Sequence, residues 1–317
     1  MKHILTADIG GTHSRFAVFE VDPAGRLRLV ESKWLETRRA DAFETLLDML
    51  AETEFPLEPS QADAAVFAVA GPVQKETFSR PPNIPWEIDL SKVRRRRNLG
   101  ACALINDFAA QAFACRSPII QTAQQILDGN IDRTAPLAVI GAGTGLGQSA
   151  LIPLSEGRYH AVPSEGGHTS FPFETEAELE YMKFLLRKTG EDYVRTETVL
   201  SGNGLSHVHQ FLTGKNRTPA EVSKEMDPDG DTLRWMARFY GRVCRNYALQ
   251  VLALGGLYIA GGVAAKTPQL VTHPEFGKTF RQTASMAHVL KEIPVYLNTD
   301  EESGLWGAAV KGLQLLD

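Results

Sequence analysis

The chain has 317 residues, of which 43% are hydrophobic and 22% charged, a composition typical of a folded protein rather than of a disordered or fibrous one. Because a single hydrophobic core seldom grows beyond about 250–300 residues, two domains are expected. The formal net charge of −5 provides no general positive field, which argues against nucleic acid and anionic membrane surfaces as partners.

The cysteines and the amino-terminal segment predict a cytoplasmic protein. Cys102, Cys115 and Cys244 are odd in number and far apart in sequence, so neither a disulfide framework nor a CxxC metal site is predicted. The first strand reaches Asp8 before an apolar signal-peptide stretch develops, and no later apolar run is long enough to span a bilayer.

In the first half, alternating apolar residues, helical periodicity and proline clusters define the elements. The predicted elements are a β-hairpin at 3–22 around a Gly10-Gly11 turn, a helix near 43–50, a strand at 64–69, a proline-rich surface loop at 81–85, a strand at 101–105 and a helix at 108–114. Asn106 and Asp107 follow the last of these strands directly. A polar pair is therefore expected at the carboxyl end of a strand.

The second half begins with the same kind of pattern. The predicted elements are a strand at 137–140, a glycine-rich loop at 141–147, an apolar stretch through Leu154, a helix at 231–254 closed by Gly255-Gly256, strands at 257–260 and 293–297, and a final helix at 303–316. A strand, a Gly/Thr turn and a second strand thus open each half. This recurrence predicts an internal duplication and two related domains.

The glycine-rich turns are candidate phosphate-binding loops. In Asp8-Ile9-Gly10-Gly11-Thr12, backbone N–H groups and the Thr12 hydroxyl can face an anion while Asp8 lies near its magnesium ion. Taken alone, the segment is equally compatible with a plain hairpin turn. The loop at 141–147 repeats the pattern but lacks the G-x-G-x-x-G spacing, so a dinucleotide-binding dehydrogenase is not predicted. The glycines at 261 and 262 would let an adenine ring approach the backbone.

These three segments resemble the two phosphate segments and the adenosine segment of the actin/hexokinase/sugar-kinase superfamily. Narrower motifs at 104–108 (LINDF), 163–168 (PSEGGH) and 197–202 (ETVLSG) resemble successive motifs of the bacterial glucokinase family, in the family's order and across essentially the whole chain. The resemblance implies an α/β, two-domain actin-like ATPase (ribonuclease H-like) fold with mixed sheets flanked by helices. It also implies a small domain of residues 1–117 plus 300–317 and a large domain of residues 118–299, with the active cleft between them.

The resemblance also assigns the sugar site. It places Asn106 and Asp107 on the sugar, with Asp107 as the general base, and it puts Glu165, His168 and Glu197 in the glucose pocket. Asn83 and Gly145 are the remaining expected sugar-side residues, although Pro82 stands where a Thr is usual. Without the resemblance, an ordinary helix N-cap is the favoured interpretation of Asn106-Asp107, a histidine beside glycines is more often a surface residue, and Glu197 could be a solvated helix charge.

The resemblance implies ATP as phosphoryl donor and Mg²⁺ as its metal ion, with Asp8 holding the metal through water. The expected nucleotide-binding residues are Asp8, Gly10, Gly11, Thr12, Gly141, Gly143, Thr144, Gly261 and Gly262. The predicted function is ATP-dependent phosphorylation of the glucose 6-hydroxyl by a homodimer. The alternatives are a kinase for another hexose or amino sugar, a non-catalytic sugar-responsive regulator and an actin-like filament protein.

The basic run at 94–97 is interpreted as a solvated helix face.

Overall fold

The computed structural model describes residues 1–155 and 157–316. Its strands are β1 (Lys2–Ile9), β2 (His13–Val21), β3 (Leu27–Glu36), β4 (Ala64–Val69), β5 (Val73–Gln74), β6 (Phe78–Ser79), β7 (Ile88–Asp89), β8 (Ala101–Asn106), β9 (Gln124–Leu127), β10 (Leu137–Ala142), β11 (Leu146–Pro153), β12 (Tyr159–Ser164), β13 (Leu257–Ala260) and β14 (Val295–Leu297).

The α-helices are α1 (Phe43–Ala51), α2 (Leu90–Arg96), α3 (Asp107–Ala114), α4 (Glu176–Thr189), α5 (Thr196–Val199), α6 (Gly202–Thr213), α7 (Pro219–Glu225), α8 (Asp231–Val251), α9 (Gly262–Lys266), α10 (Gln269–Thr272), α11 (Pro274–Arg281), α12 (Ala287–Glu292) and α13 (Ser303–Leu316). Short 3₁₀ turns lie at Thr37–Arg39, Pro59–Gln61, Pro118–Thr122 and Gly166–His168. Within the described residues, none of the helices is both long and apolar enough to span a bilayer.

The chain divides into two compact units. The first comprises Met1–Gln121, Leu154–Pro163 and Asp300–Asp317, and the second comprises Thr122–Pro153 and Ser164–Thr299. The sequence had placed residues 154–163 in the large domain. They belong to the first unit because the Tyr159 backbone N–H donates to the Gln314 side chain at 2.6 Å and the Arg116 guanidinium lies 5.3 Å from the Tyr159 ring centroid.

The first unit is built on a five-stranded sheet in the order β3-β2-β1-β4-β8. The predicted hairpin is present, with β1 antiparallel to β2, and β4 runs parallel to β1 on its other side. Every residue of β4 is buried, which explains its uninterrupted apolar sequence. Phe43 and Leu46 of α1 pack in one core with Leu5, while Leu305 of α13 packs in another with Ile4. Because Ile4 and Leu5 alternate along β1, the two helices cover opposite faces of the sheet.

The second unit is built on strands that are neighbours in the order β11-β10-β13-β14-β9, in a six-stranded sheet whose remaining strand is β12. Here β10 pairs antiparallel with β11 and parallel with β13, and β13 pairs parallel with β14. The run β11-β10-β13-β14 therefore repeats the run β2-β1-β4-β8 of the first sheet. This shared topology agrees with the internal duplication expected from the repeated strand, turn and strand.

Several boundaries differ from those predicted. Only residues 143–145 lie outside the strands of the second hairpin, because Gly141 pairs with Gly147 inside the sheet. Helix α8 ends at Val251 and is capped by Leu252 in a left-handed conformation (φ 50°), so Gly255 and Gly256 do not terminate it. The small sheet formed by β5, β6 and β7 was not predicted, since two-residue strands carry too little periodicity to be recognised.

Candidate active site

Asp8 lies near the end of β1, beside the first glycine turn. Its Cα is paired with that of Arg15 on β2. Burial raises the pKa of Asp8, and the positive charge of Arg15 opposes that shift. Gly304, in the first turn of α13, keeps the neighbouring space open, because a Cβ there would lie 3.4 Å from the Asp8 carboxylate oxygen Oδ2.

The first glycine turn is fixed by backbone hydrogen bonds and packs against the proline-rich loop. The Gly10 N–H donates to the His13 carbonyl at 3.1 Å, and the Thr12 carbonyl accepts from the Thr37 N–H at 3.0 Å. A Cβ on Gly11 would lie 2.7 Å from the carbonyl oxygen of Asn83. The structure therefore brings a predicted phosphate-loop residue and a predicted sugar-side residue into direct contact.

Asn106 and Asp107 form the junction between β8 and α3. The Asn106 Oδ1 accepts from the backbone N–H groups of Phe108 at 2.9 Å and Ala109 at 3.1 Å, so Asn106 is the N-cap of α3. Its Nδ2 donates to the Asp107 Oδ1 at 2.9 Å, and the Phe108 N–H donates to that same oxygen at 2.9 Å. The capping interpretation is thus correct, and the cap also orients the Asp107 carboxylate.

Gly71 connects this junction to the proline-rich loop. Its carbonyl accepts from the Asn106 Nδ2 at 3.1 Å. Its backbone has φ 90°, and a Cβ there would lie 2.8 Å from the Cδ of Pro82. Asn83, Asn106 and Asp107 are therefore linked in the first unit by a continuous series of contacts through Gly71 and Pro82.

In the second unit, the three predicted sugar-binding side chains form one cluster. The His168 Nε2 lies 3.6 Å from the Glu165 Oε2, and its Nδ1 lies 3.6 Å from the Glu197 Oε1. Glu197 is the least accessible of the three, with its side chain 19% exposed. A Cβ on Gly145 would lie 2.7 Å from the Glu197 Oε2, so Gly145 belongs to the same cluster. Two carboxylates beside an imidazole can accept from and donate to neighbouring hydroxyl groups.

The glycines of the PSEGGH motif have a steric explanation. A Cβ on Gly166 would lie 2.1 Å from the Gln148 Oε1, and a Cβ on Gly167 would lie 2.3 Å from the Leu146 carbonyl oxygen. The 3₁₀ turn at Gly166–His168 therefore packs directly on β11. Gln148 was not recognised from the sequence, because nothing in its spacing marks it.

Arg195 is a second residue of this cluster that sequence reasoning missed. It immediately precedes α5 and forms ion pairs with Glu191 and with Glu197. Its Nη1 also lies 3.3 Å from the His168 Nδ1. Only its position two residues before Glu197 could have indicated the contact.

A cavity of about 710 Å³ in the second unit is lined by Gly143, Thr144 and Gly262, three of the predicted nucleotide-binding residues. Leu205 and Val263 supply apolar surface, and Lys224 and Lys266 supply positive charge. The volume lies within the range of small-molecule pockets. Gly141 lies inside β10, while Gly261 (φ 87°) packs against Ala142, where a Cβ would lie 2.7 Å from its carbonyl oxygen.

The residues present are compatible with a magnesium ion that arrives with the nucleotide. The described part of the chain contains no group of three or more His, Cys, Asp or Glu side chains that could hold a metal ion. Magnesium in nucleotide enzymes usually takes only one or two carboxylates, together with phosphate oxygens and water. Asp8, whose carboxylate lies next to the first glycine turn, meets that requirement.

The two sheets, each with a glycine-turn hairpin beside a parallel strand, define the actin-like ATPase fold of the sugar kinases, as predicted. A glucokinase family model matches residues 5–315. The glucokinase of Trichormus variabilis is 32% identical over 347 aligned residues, which cover 99% of this chain and 100% of that relative. The chain belongs to the glucokinase family.

Solved structures agree with this assignment. A glucokinase from an Antarctic psychrotroph has a TM-score of 0.86 at 27% identity, covering 99% of each chain. A ROK family glucokinase from Streptomyces griseus, solved with glucose and AMPPNP, has a TM-score of 0.63 at 20% identity, covering 98% of this chain and 99% of that one, and it supports the fold. Family membership makes ATP-dependent phosphorylation of glucose the activity of this chain, as the sequence predicted.

Proposed function

We propose that this chain transfers the γ-phosphoryl group of ATP to the 6-hydroxyl of glucose, with Asp107 as the general base. The observation that carries the proposal is the Asp107 carboxylate at the β8–α3 junction, where one oxygen accepts from both the Asn106 side chain and the Phe108 N–H. A carboxylate oriented in this way can accept the hydroxyl proton as the new O–P bond forms. General-base assistance of this kind contributes about 10²–10⁴-fold in rate.

Glucose recognition is assigned to the polar side chains described above. Glu165, His168 and Glu197 bind sugar hydroxyls in this proposal, and Gly145 leaves room beside Glu197. Asn83 and Asn106 are the remaining proposed sugar-side residues. A sugar that lacks a matching hydroxyl leaves one of these groups without a partner, at a cost of about 1–3 kcal/mol. The set therefore supports selection among hexoses.

Nucleotide binding is assigned to the cavity lined by Gly143, Thr144 and Gly262, with Lys224 and Lys266 beside it. In the first glycine turn, the backbone N–H groups of Gly11 and Thr12 are proposed to bind phosphate, while Gly10, whose N–H donates to the His13 carbonyl, shapes the turn. Asp8 would hold the accompanying Mg²⁺, through water as the resemblance implies. A bound Mg²⁺ would supply positive charge against that developing on the phosphate oxygens.

A panel of sugars tests the proposal. Turnover is measured by coupled detection of ADP with glucose, mannose, fructose and N-acetylglucosamine, and glucose is expected to give the highest kcat/KM. If another sugar gave a higher kcat/KM, that sugar and not glucose would be the preferred substrate. ADP release at one rate with and without any sugar would contradict a sugar kinase altogether.

Homodimerisation and a cytoplasmic location stay predictions. Light scattering coupled to size-exclusion chromatography checks the first, with a mass near twice the 34.8 kDa of the chain expected for the dimer. A mass equal to that of one chain would contradict it.

A further inference from the structure

Arg195 contacts two members of the cluster formed by Glu165, His168 and Glu197, yet neither the sequence motifs nor the proposed reaction gives it a role. Its side chain is 33% exposed, and its guanidinium contacts three ionisable side chains: Glu191, Glu197 and His168. Because Arg195 contacts both Glu197 and His168, it can fix the orientation of the polar atoms that these two candidate sugar-binding side chains offer.

Glu191 fixes the position of the Arg195 guanidinium. Its Nε donates to the Glu191 Oε1 at 3.1 Å, and the other oxygen of Glu191 accepts from the Thr198 hydroxyl at 3.1 Å. The hydrogen bond from Arg195 lowers the pKa of Glu191, so this carboxylate is ionised at neutral pH. With one edge of the planar group fixed by Glu191, its Nη1 is directed at Glu197 and His168.

This arrangement has a consequence for the imidazole proton. A guanidinium only donates hydrogen bonds, and the Arg195 Nη1 lies 3.3 Å from the His168 Nδ1. The Glu197 Oε1, at 3.6 Å from the same nitrogen, would favour a proton there, but it is farther away and already accepts from Arg195. The geometry therefore favours Nδ1 as the acceptor, with the ring hydrogen on Nε2, which faces the Glu165 Oε2 at 3.6 Å.

We propose that Arg195 is a positioning residue for sugar recognition, which fixes Glu197 as a hydrogen-bond acceptor and His168 as a hydrogen-bond donor through Nε2–H. The inference rests on the proposed function, in which these two side chains bind glucose. Among the residues that the structure describes, the charged and titratable groups in contact with His168 are Glu165, Glu197, Arg195 and Tyr193, whose hydroxyl donates to the His168 carbonyl at 2.9 Å. Of these, only Arg195 is a fixed cation.

A purely structural role for Arg195 is the competing explanation. The two segments that it connects are already joined by backbone hydrogen bonds, from Phe171 to Val194 at 2.9 Å and from Thr196 to Thr169 at 2.8 Å. The Thr196 hydroxyl adds a bond to the Thr169 carbonyl at 2.9 Å. Because partly exposed ion pairs add little to stability, loss of Arg195 should leave the local backbone intact while releasing the side chains of Glu197 and His168.

The test compares Arg195→Met, Arg195→Lys and the matched control Arg281→Met. Arg281 forms an ion pair with Asp128 in the same unit, and its side chain is 38% exposed, close to the 33% of Arg195. For Arg195→Met, KM for glucose is expected to rise about tenfold or more, with kcat and KM for ATP within about threefold of wild type. Arg195→Lys keeps the positive charge but lacks the planar guanidinium, so its KM for glucose should lie between those of wild type and Arg195→Met. Arg281→Met should have the kcat and KM values of the wild type.

Nitrogen-15 NMR of the histidine side chains shows which ring nitrogen of His168 carries the proton. A purely structural role for Arg195 would not change that position. In the wild-type protein the His168 proton is expected on Nε2, and in Arg195→Met it should redistribute towards Nδ1, where Glu197 can accept it. The His168→Asn spectrum assigns the resonance. A wild-type proton on Nδ1, or a KM for glucose within about twofold of wild type in folded Arg195→Met, overturns the role of Arg195.

Failure of this inference is distinguishable from failure of the proposed function. If wild-type protein phosphorylates glucose and Asp107→Asn does not, the proposed function holds whatever Arg195→Met does. If wild-type protein leaves glucose unphosphorylated, the proposed function itself fails, and the role given to Arg195 fails with it.

Discussion

Gly11 and Asn83 lie so close together that a Cβ on Gly11 would sit 2.7 Å from the carbonyl oxygen of Asn83 and 2.8 Å from its Cβ. The first glycine turn and the proline-rich loop are thus packed backbone against backbone. Because the same loop reaches Asn106 through Pro82 and Gly71, the position of the turn is coupled to that of the candidate base at Asp107.

Gly11→Ala should therefore damage catalysis more than stability. The added methyl group displaces the Asn83 backbone, and kcat/KM for glucose is expected to fall about tenfold or more, because small misplacements of reacting groups are costly. Steady-state kinetics and thermal melting measure the two effects. Gly25→Ala is the control, since Gly25 has φ 75° but no atom within 4 Å of an added Cβ. That change should lower stability by about 1 kcal/mol and leave kcat/KM unchanged. Equal kcat/KM for Gly11→Ala and wild type would contradict the coupling.

Gly262→Val tests the nucleotide cavity. An added Cβ at Gly262 meets no atom within 4 Å, and the residue lines the cavity of about 710 Å³, so the larger side chain enters space assigned to ATP. KM for ATP is expected to rise about tenfold or more while KM for glucose changes little. An unchanged KM for ATP would place the nucleotide elsewhere.

Asp8→Asn should stabilise the protein while reducing its activity. Burial raises the pKa of Asp8 above the ordinary value of 3.8, with Arg15 opposing, so the folded protein binds this proton more tightly than the unfolded chain does. The free energy of unfolding therefore falls as pH rises from 3.8 through the raised pKa. At pH 7 the thermal midpoint of Asp8→Asn should exceed that of wild type by about 2 °C or more, and the difference should vanish towards the acid end of this window.

Asp22→Asn is the control of opposite sign. Asp22 is partly exposed, and hydrogen bonds from Arg26 lower its pKa below 3.8, so its ionised form favours the folded state at neutral pH. Its replacement should lower the thermal midpoint slightly at pH 7, with the difference lost on acidification through the lowered pKa. If the thermal midpoints of Asp8→Asn and wild type differed by the same amount at every pH, burial of the ionised Asp8 carboxylate would not destabilise the folded protein.

Glu178→Gln should be strongly destabilising. Glu178 and Arg242 are fully buried, with side chains 0% and 1% exposed, and two hydrogen bonds of 2.7 and 2.9 Å join them. Removing the Glu178 charge leaves the buried guanidinium only the half-exposed Glu174 carboxylate, 3.1 Å from its Nη2, and loss of a buried charged partner costs up to about 3–5 kcal/mol. Urea unfolding measures the loss. On the same helix, Glu180 forms an exposed pair with Lys183, and Glu180→Gln should have little effect. Similar urea midpoints for Glu178→Gln and Glu180→Gln would contradict this account of the buried pair.

Elements defined by local patterns could be predicted from the sequence. The alternation around Gly10 and Gly11 gave the first hairpin, and the apolar run ending at Asn106 gave the β8–α3 junction within one residue. The helix at α13 was predicted with its observed bounds. In each case the signal lies within a few consecutive residues, which is where periodicity and turn chemistry act.

Features that depend on contacts distant in sequence could not be predicted. Arg195 carries no local mark of its contact with His168, and the packing of Gly11 on Asn83 joins segments 72 positions apart in the printed sequence. The end of α8 was misplaced because Leu252, rather than a glycine, adopts the left-handed capping conformation. Propensity favours glycine there, and tertiary packing overrides it.

The most direct test of the central claim is glucose turnover by Asp107→Asn. The amide oxygen can keep the hydrogen bonds from the Phe108 N–H and the Asn106 side chain, so the fold should survive, while the capacity to accept a proton is lost. Asp89→Asn is the matched control, since Asp89 caps α2 by accepting from the Lys92 N–H at 3.2 Å. The account predicts that kcat falls by about 10²–10⁴-fold for Asp107→Asn and stays near wild type for Asp89→Asn. A kcat for folded Asp107→Asn equal to that of wild type would contradict the assignment of Asp107 as the base.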